Sequence, residues 1–195
     1  MKSNFDIFRI ETNNIPPKKG RILIAEPFLP GTYFNRSIVL LVECSHDGAV
    51  GFILNKPVDV AINSFNKQFP GYEKQLFIGG PVNPEYLYFI HTLGDKIPGS
   101  LHVIDNLYWG GSFDVLSELI QKNQIKQSDV RFFLGYSGWA AGQLEQELKE
   151  DSWIVSNIQI NQVMDCFADS WTDAVKEVGG KYKLWENYPE NPTLN

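Results

Sequence analysis

The sequence predicts a single α/β (α+β) domain, a mixed β-sheet flanked by helices. Three observations carry that prediction. Short runs rich in branched and aromatic residues recur along the chain, a tight-turn signal joins two of them, and stretches with apolar residues at 3.6-residue spacing separate others. Of the 195 residues, 43% are hydrophobic and 21% charged, which suits a self-sufficient core, because folding at this length buries roughly 70% of the surface the unfolded chain exposes. Five Trp and thirteen Phe exclude a disordered or low-complexity chain.

Taken in order, residues 1–19 read as an N-terminal arm. Pro16 and Pro17 break any helix there, since each removes a backbone donor and restricts the residue before it. The domain then spans 20–188, and 189–195, with two further prolines, read as a frayed tail. The strongest local signal is a hairpin. Residues 37–44 are nearly continuous apolar, as a central strand covered on both faces would be. Asp47-Gly48 supplies the turn, residues 49–54 return, and Pro57 is expected to stop the strand because it cannot donate in an interior ladder. Further strands are predicted at 21–25, 75–78, 86–91, 102–104, 130–134 and 152–156. Ser112 is suited to cap a helix carrying Phe113, Leu116, Leu119 and Ile120 on one face. A second helix is expected over 139–150, with Ala141, Leu144 and Leu148 inward and Glu145 paired with Lys149 outward. A third runs over 171–178, its stripe made by Trp171, Ala174, Val175 and Val178, and Gly179-Gly180 ends it.

Charge and cysteine usage exclude several functions. Seventeen basic against twenty-three acidic residues give a net charge of −6. The one tight basic cluster, Lys18-Lys19-Gly20-Arg21, is too short to displace many phosphate counterions, so direct nucleic-acid binding is disfavoured. Net negative charge also opposes adsorption to anionic lipid. No apolar run approaches the ~20 residues of a membrane helix, and Asp6 and Arg9 interrupt any leader-like stretch. Two cysteines, Cys44 and Cys166, make no CxxC and no disulfide framework. The expected location is cytoplasmic.

No complete catalytic group is visible. Gly135-Tyr136-Ser137-Gly138-Trp139 approaches a hydrolase nucleophile elbow but has Trp139 where Gly is required. All three histidines precede Ser137, which excludes the Ser–acid–His order. Ser137 reads more simply as a helix cap, with Gly138 allowing close strand–helix packing; the same helix start could hold an anion on its free N–H groups. Gly79-Gly80 lacks the Lys-Ser/Thr of a P-loop and reads as backbone geometry. His46, His91 and His102 have no metal-ligand spacing, no cofactor motif is present, and Cys44 and Cys166 read as inert packing, the second in a helix. A redox pairing of Cys44 with His46 is the weak exception.

The most informative set is Arg36, Asn55 and Lys56. If 37–44 pairs antiparallel with 49–54, the outer ends of the hairpin meet and these three become neighbours. His46 and Asp47 lie at the other end, about 8 residues or roughly 25 Å away. The three could bind an anion, or Arg36 could tie down a helix carbonyl end or a buried carboxylate.

Several phrases read together closely resemble the bacterial YqgE/AlgH family. They are Gly20-Arg21-Ile22-Leu23-Ile24-Ala25-Glu26-Pro27, Phe34-Asn35-Arg36-Ser37, the hairpin ending in Asn55-Lys56-Pro57, Gly79-Gly80-Pro81-Val82, Leu107-Tyr108-Trp109-Gly110-Gly111, and the phrase from Gly135 through Trp139 to Leu148. The resemblance covers about residues 20–178. It implies a compact fold around a mixed, bulged sheet flanked by helices, and it brings no established catalytic residues. The family's usual label is transcriptional regulator, without a defined DNA-binding motif, and the helix after Ser112 leads to a strand at Val130 instead of a second DNA-binding helix. Lys56 stands where Arg is common and Asn106 where Gly often follows Asp105, changes that bear on a bidentate contact and on a turn. Three functions follow as expectations. The first is a non-enzymatic regulatory or binding protein acting through a protein partner or a small anionic ligand at Arg36, Asn55, Lys56, Gly79, Gly80, Ser137 and Gly138. The second is a direct or indirect transcriptional regulator. The third is an enzyme assembled from distant residues such as Arg36, Asn55, Lys56 and His91.

Overall fold

A computed structural model describes residues 15–29 and 31–188. The expected tail, 189–195, and most of the expected arm, 1–19, lie outside the described residues. Among the described residues there are ten strands: β1 (Ile22–Ala25), β2 (Ile38–Ser45), β3 (Gly48–Ile53), β4 (Pro57–Ala61), β5 (Gln75–Ile78), β6 (Val82–His91), β7 (Leu101–Ile104), β8 (Leu107–Trp109), β9 (Val130–Ala140) and β10 (Trp153–Ser156). Five short α-helices accompany them: α1 (Ile62–Phe65), α2 (Phe113–Gln121), α3 (Gln143–Lys149), α4 (Ile160–Met164) and α5 (Ser170–Val178). A 3₁₀ segment, Gly180–Asn187, follows α5.

The sheet runs β10-β1-β2-β3-β9-β6-β8-β7, with β5 parallel to β9 and β4 antiparallel to β5. It is mixed and bulged as the resemblance implies: register shifts between Leu41 and Glu43, between Val82 and Leu87, and between His102 and Ile104. β1 and β2 are covered on both faces, as their continuous apolar runs require. Ile22, Ile24, Ile38 and Leu40 face the core under α4 and α5, and Leu23, Ala25, Val39 and Leu41 face the core under α3. A third core lies under α2. That helix is capped as expected, with Ser112 Oγ accepting from Val115 N–H at 3.3 Å, and Gly179 ends α5 at φ 71°.

The returning strand of the hairpin stops before Pro57 as expected, β3 ending at Ile53, and Pro57 itself opens β4, an edge strand paired with β5 alone. Two expectations are corrected. The second helix begins at Gln143, not Trp139, because 130–140 continue as one 11-residue strand. Ala141 is consequently exposed, and the helix is laced by Gln143–Glu147 and Gln146–Glu150 hydrogen bonds at 2.9 and 2.7 Å. Cys166 lies in the connector between α4 and α5, outside any helix.

The length of β9 explains the glycine phrases. Its first part pairs with β5 on one side and β6 on the other, and its last part pairs with β3. The chain leaving β5 must therefore cross over β9 to begin β6. It crosses at Gly79-Gly80, where a Cβ on Gly79 would lie 2.2 Å from Gly135 O and one on Gly80 2.3 Å from Tyr136 C. Two backbones can approach this closely only where side chains are missing. Ser137 Oγ closes the crossing by donating to Gly79 O at 3.0 Å.

Candidate functional site

The hairpin expectation places Arg36 and Asn55 correctly. Asn55 is buried and uses both ends of its amide: Oδ1 accepts from Ile38 N–H at 2.8 Å and Nδ2 donates to Arg36 O at 2.9 Å. It stitches the outer end of the hairpin and holds Arg36, whose φ is 49°, a left-handed value uncommon outside glycine. The Arg36 guanidinium sits 4.8 Å from the Trp171 ring and donates through Nη2 to Tyr188 O, at the end of the 3₁₀ segment. One of the structural roles expected of Arg36, tying down a carbonyl at a helix end, is thus present. Its Nε is nonetheless buried without a partner.

Arg36, Asn55 and Lys56 line one pocket of about 410 Å³, closed by Asn35, Pro57, Ile78 and the start of α5 at Asp169, Trp171 and Thr172. Two cationic side chains face one carboxylate there. Trp171 fixes the far wall, being 2% exposed, with Nε1 donating to Ala25 O at 3.0 Å.

The other expected binding residues are not brought to this pocket. Gly79, Gly80, Ser137 and Gly138 belong to the strand crossing. Ser137 is fully buried in mid-strand and caps no helix, so the helix start imagined there, and its anion site, do not exist. The helix that does follow is started by Gly142 and the Gln143 side chain, whose Oε1 accepts from Ala140 N–H at 3.0 Å. His91 is elsewhere again. It is fully buried beside Phe89, stacked 5.7 Å from Tyr108, with Nδ1 accepting from Leu93 N–H at 3.2 Å. That bond leaves the proton on Nε2, which faces Ser100 Oγ at 2.8 Å. Nε2 therefore donates to Ser100 Oγ, and Ser100 Oγ in turn donates a hydrogen bond to Ile97 O at 2.7 Å. A histidine in this tautomer cannot take the serine proton. Burial lowers its pKa to about 4. The proposed convergence of Arg36, Asn55, Lys56 and His91 is not assembled by the fold. Among the described residues no three His, Cys, Asp or Glu side chains converge as a metal site.

Two features escaped the sequence reading. Arg131 is 1% exposed. Its guanidinium donates to Val163 O, to Leu54 O at 2.6 Å and to Cys166 O at 3.0 Å, and lies 4.0 Å from the Phe77 ring. Burial lowers its pKa to about 10, so it remains charged at neutral pH. It ties the carbonyls at the end of α4 to the strand segment preceding Asn55, and so sets the α4–α5 connector against the sheet. A lone Arg amid Val130, Phe132 and Phe133 was the available signal. The second feature is Glu147, whose Oε2 accepts from both Trp139 Nε1 and Trp153 Nε1 at 2.8 Å. These bonds pin α3 to the sheet. They give the residues from Trp139 to Glu147 a packing role.

A second cavity, of about 300 Å³, lies on the other side of α5, between it, α4 and the sheet. Its floor is Ile22, Ile24 and Ile38, and Asp165, Asp173 and Glu177 line it along with Cys166.

A family model described as AlgH-like matches residues 22–183. The chain belongs to the AlgH-like family. It is similar to a UPF0301 protein of Parabacteroides distasonis, with 46% identity over the whole of both chains. It is also similar to a UPF0301 protein of Cytophaga hutchinsonii, 44% identical over 91% of this chain and 98% of the other. Among solved structures, a Corynebacterium diphtheriae protein superposes with a TM-score of 0.72 at 22% identity, over 89% of this chain and 94% of that one. The AlgH protein of Pseudomonas aeruginosa superposes with a TM-score of 0.69 at 24% identity, over 90% and 97%. These last two establish the AlgH-like fold alone. The regulatory label finds no support in the relatives' names. No described helix is long and apolar enough to cross a membrane. In this member Asn106 has no positive φ, so the turn after Asp105 makes no demand for glycine.

Proposed function

We propose that this AlgH-like protein is a non-enzymatic binding protein that takes a small anionic ligand in the pocket of Arg36 and Lys56. The observation that carries this reading is the buried, unpartnered Nε of Arg36 beside a cavity of about 410 Å³ that Lys56 also lines. A donor hidden from water without an acceptor costs about 1–3 kcal/mol, and an anionic oxygen would remove that cost. Asn55 serves as scaffold, since both its amide ends are occupied. The test is NMR titration with inorganic phosphate, pyrophosphate and citrate. Saturable shifts at Lys56 and Thr172, weakened several-fold in Lys56→Gln, support the reading. Absence of saturation with all three at about 10 mM, a weak but measurable range, overturns it.

A protein partner is the second reading, favoured by the apolar surface around the same pocket. Phe28 and Tyr188 are 39% and 40% exposed with rings 5.4 Å apart, and Phe167, next to the lining residue Ala168, is 54% exposed. A Phe28→Ser, Phe167→Ser double variant that loses a co-purifying protein while keeping phosphate binding would favour this second reading.

A further inference from the structure

The Arg36 pocket holds an acidic group for which a plain anion has no use. Arg36 and Lys56 enter it from the outer end of the β2–β3 hairpin, and Asp169 enters from the start of α5. Asp169 stands in the position of a helix cap without capping. Its φ and ψ are −76° and −10°, helical values, and its side chain accepts no bond from the helix. A capping Asp is extended and accepts from an N–H two or three residues on. The turn is fastened by Ser170 instead, whose Oγ accepts from Phe167 N–H at 2.9 Å. Asp169 is not spent on a neighbouring cation either. The ion pairs of α5 run from Lys176 to Asp173 at 3.9 Å and to Glu186 at 3.2 Å, and among the described residues none reaches Asp169. The lining is open to a ligand, for Asp169, Ala168 and Pro57 are exposed and Ile78 is half-buried.

A ligand for this lining must answer both signs of charge. A polyanion would bring surplus negative charge beside Asp169, and a simple ammonium would meet Arg36 and Lys56. A zwitterion suits all three. Its carboxylate can accept from the unpartnered Arg36 Nε, and its carbon chain can lie on Pro57, Ile78 and Ala168. At about 30 Å³ per water-sized group, a cavity of about 410 Å³ accepts roughly thirteen non-hydrogen atoms, within the range of small-ligand sites. We propose that the Arg36 pocket takes a small amino acid, its carboxylate held by Arg36 and Lys56 and its ammonium by Asp169. This rests on the anion reading above and names the ligand class of the same site.

The test is NMR titration of the full chain with matched pairs that differ only in the ammonium group: glycine and acetate, 4-aminobutyrate and butyrate, 6-aminohexanoate and hexanoate. The amino acid whose length fits should bind about three- to fivefold more tightly than its carboxylate match, as a partly solvated ion pair gives, with shifts at Asp169 and Thr172. Asp169→Asn keeps the side chain's shape. It should abolish that advantage while leaving the affinity of the matched carboxylate equal or higher. Lys56→Gln should weaken both members of the pair alike. An absence of advantage in all three pairs, or an advantage that survives Asp169→Asn, overturns the proposal and leaves the anion reading standing. Failure of all these compounds and of inorganic phosphate to saturate overturns both.

Discussion

The two cavities on either side of α5 are built from one helix and differ in charge. On one side Asp169, Trp171 and Thr172 close a pocket that Arg36 and Lys56 line; on the other, Ser170, Asp173, Ala174 and Glu177 wall a cavity without a cation in its lining. The difference arises because α5 buries only a narrow stripe, Trp171 and Val175, and leaves both flanks polar. What each flank faces is then set by the sheet: the outer end of the β2–β3 hairpin on one side, the apolar floor of β1 and β2 on the other. A short amphipathic helix laid across a sheet can in this way separate two cavities with differently charged linings.

The sharpest way to break this arrangement is Arg131→Ala. The change removes the charge that holds Val163, Leu54 and Cys166 carbonyls, leaving three buried acceptors without donors. A loss of about 4 kcal/mol is expected in urea denaturation, and binding at the Arg36 pocket should fail with it because the connector between α4 and α5 is freed. Survival of that binding at full affinity would show that α5 is held by other contacts.

A stability change that spares the comparison comes next. His91 lies outside both cavities, and its pKa falls from 6.5 to about 4 on folding. The folded state therefore disfavours the extra proton that the unfolded chain accepts. The sign is fixed: the stabilisation is complete above pH 6.5 and is lost as pH falls toward 4, amounting to about 3 kcal/mol. Chemical denaturation at stepped pH should show this slope, and His91→Gln should flatten it. A slope unchanged in that variant would assign the acid sensitivity to other groups.

Smaller effects follow. Trp139→Phe removes one of the two indole donors to Glu147 and should cost about 1–2 kcal/mol in the same assay, with both cavities intact because α3 packs on the opposite face of β1 and β2. The smallest effect concerns the thiols. Burial raises the pKa of Cys166, and burial together with Glu145 raises that of Cys44. Both should alkylate with iodoacetamide more slowly than free cysteine at neutral pH. A fast Cys44 would restore the redox reading with His46, although His46 sits in the exposed turn, 3.2 Å from Asp47.

The legible parts of the fold were those in which local pattern and tertiary demand coincide. The hairpin, the capped helix at Ser112 and the glycine stop after Val178 each follow from residues a few positions apart. The crossing of β5 over β9 was not legible. Its glycines looked like a turn and a helix start because the constraint on them is a second backbone far away in sequence. The same holds for Ser137, a good cap by type that the continuing strand turned into a buried donor. At the pocket, the neighbourhood of Arg36 and Asn55 could be read from hairpin pairing, but the full use of Asn55 by backbone could not.

The sequence by itself determined the family, the mixed single-domain architecture and the meeting of Arg36, Asn55 and Lys56, because periodicity, turn chemistry and antiparallel pairing are short-range. Only the tertiary structure decided that Arg131 would hold the α4–α5 connector, that His91 would be locked in the tautomer that cannot serve as a base, and that α5 would divide two cavities of opposite charge. Those outcomes depend on which carbonyls, rings and carboxylates are brought within a few ångströms across distant elements, and no local pattern encodes that distance.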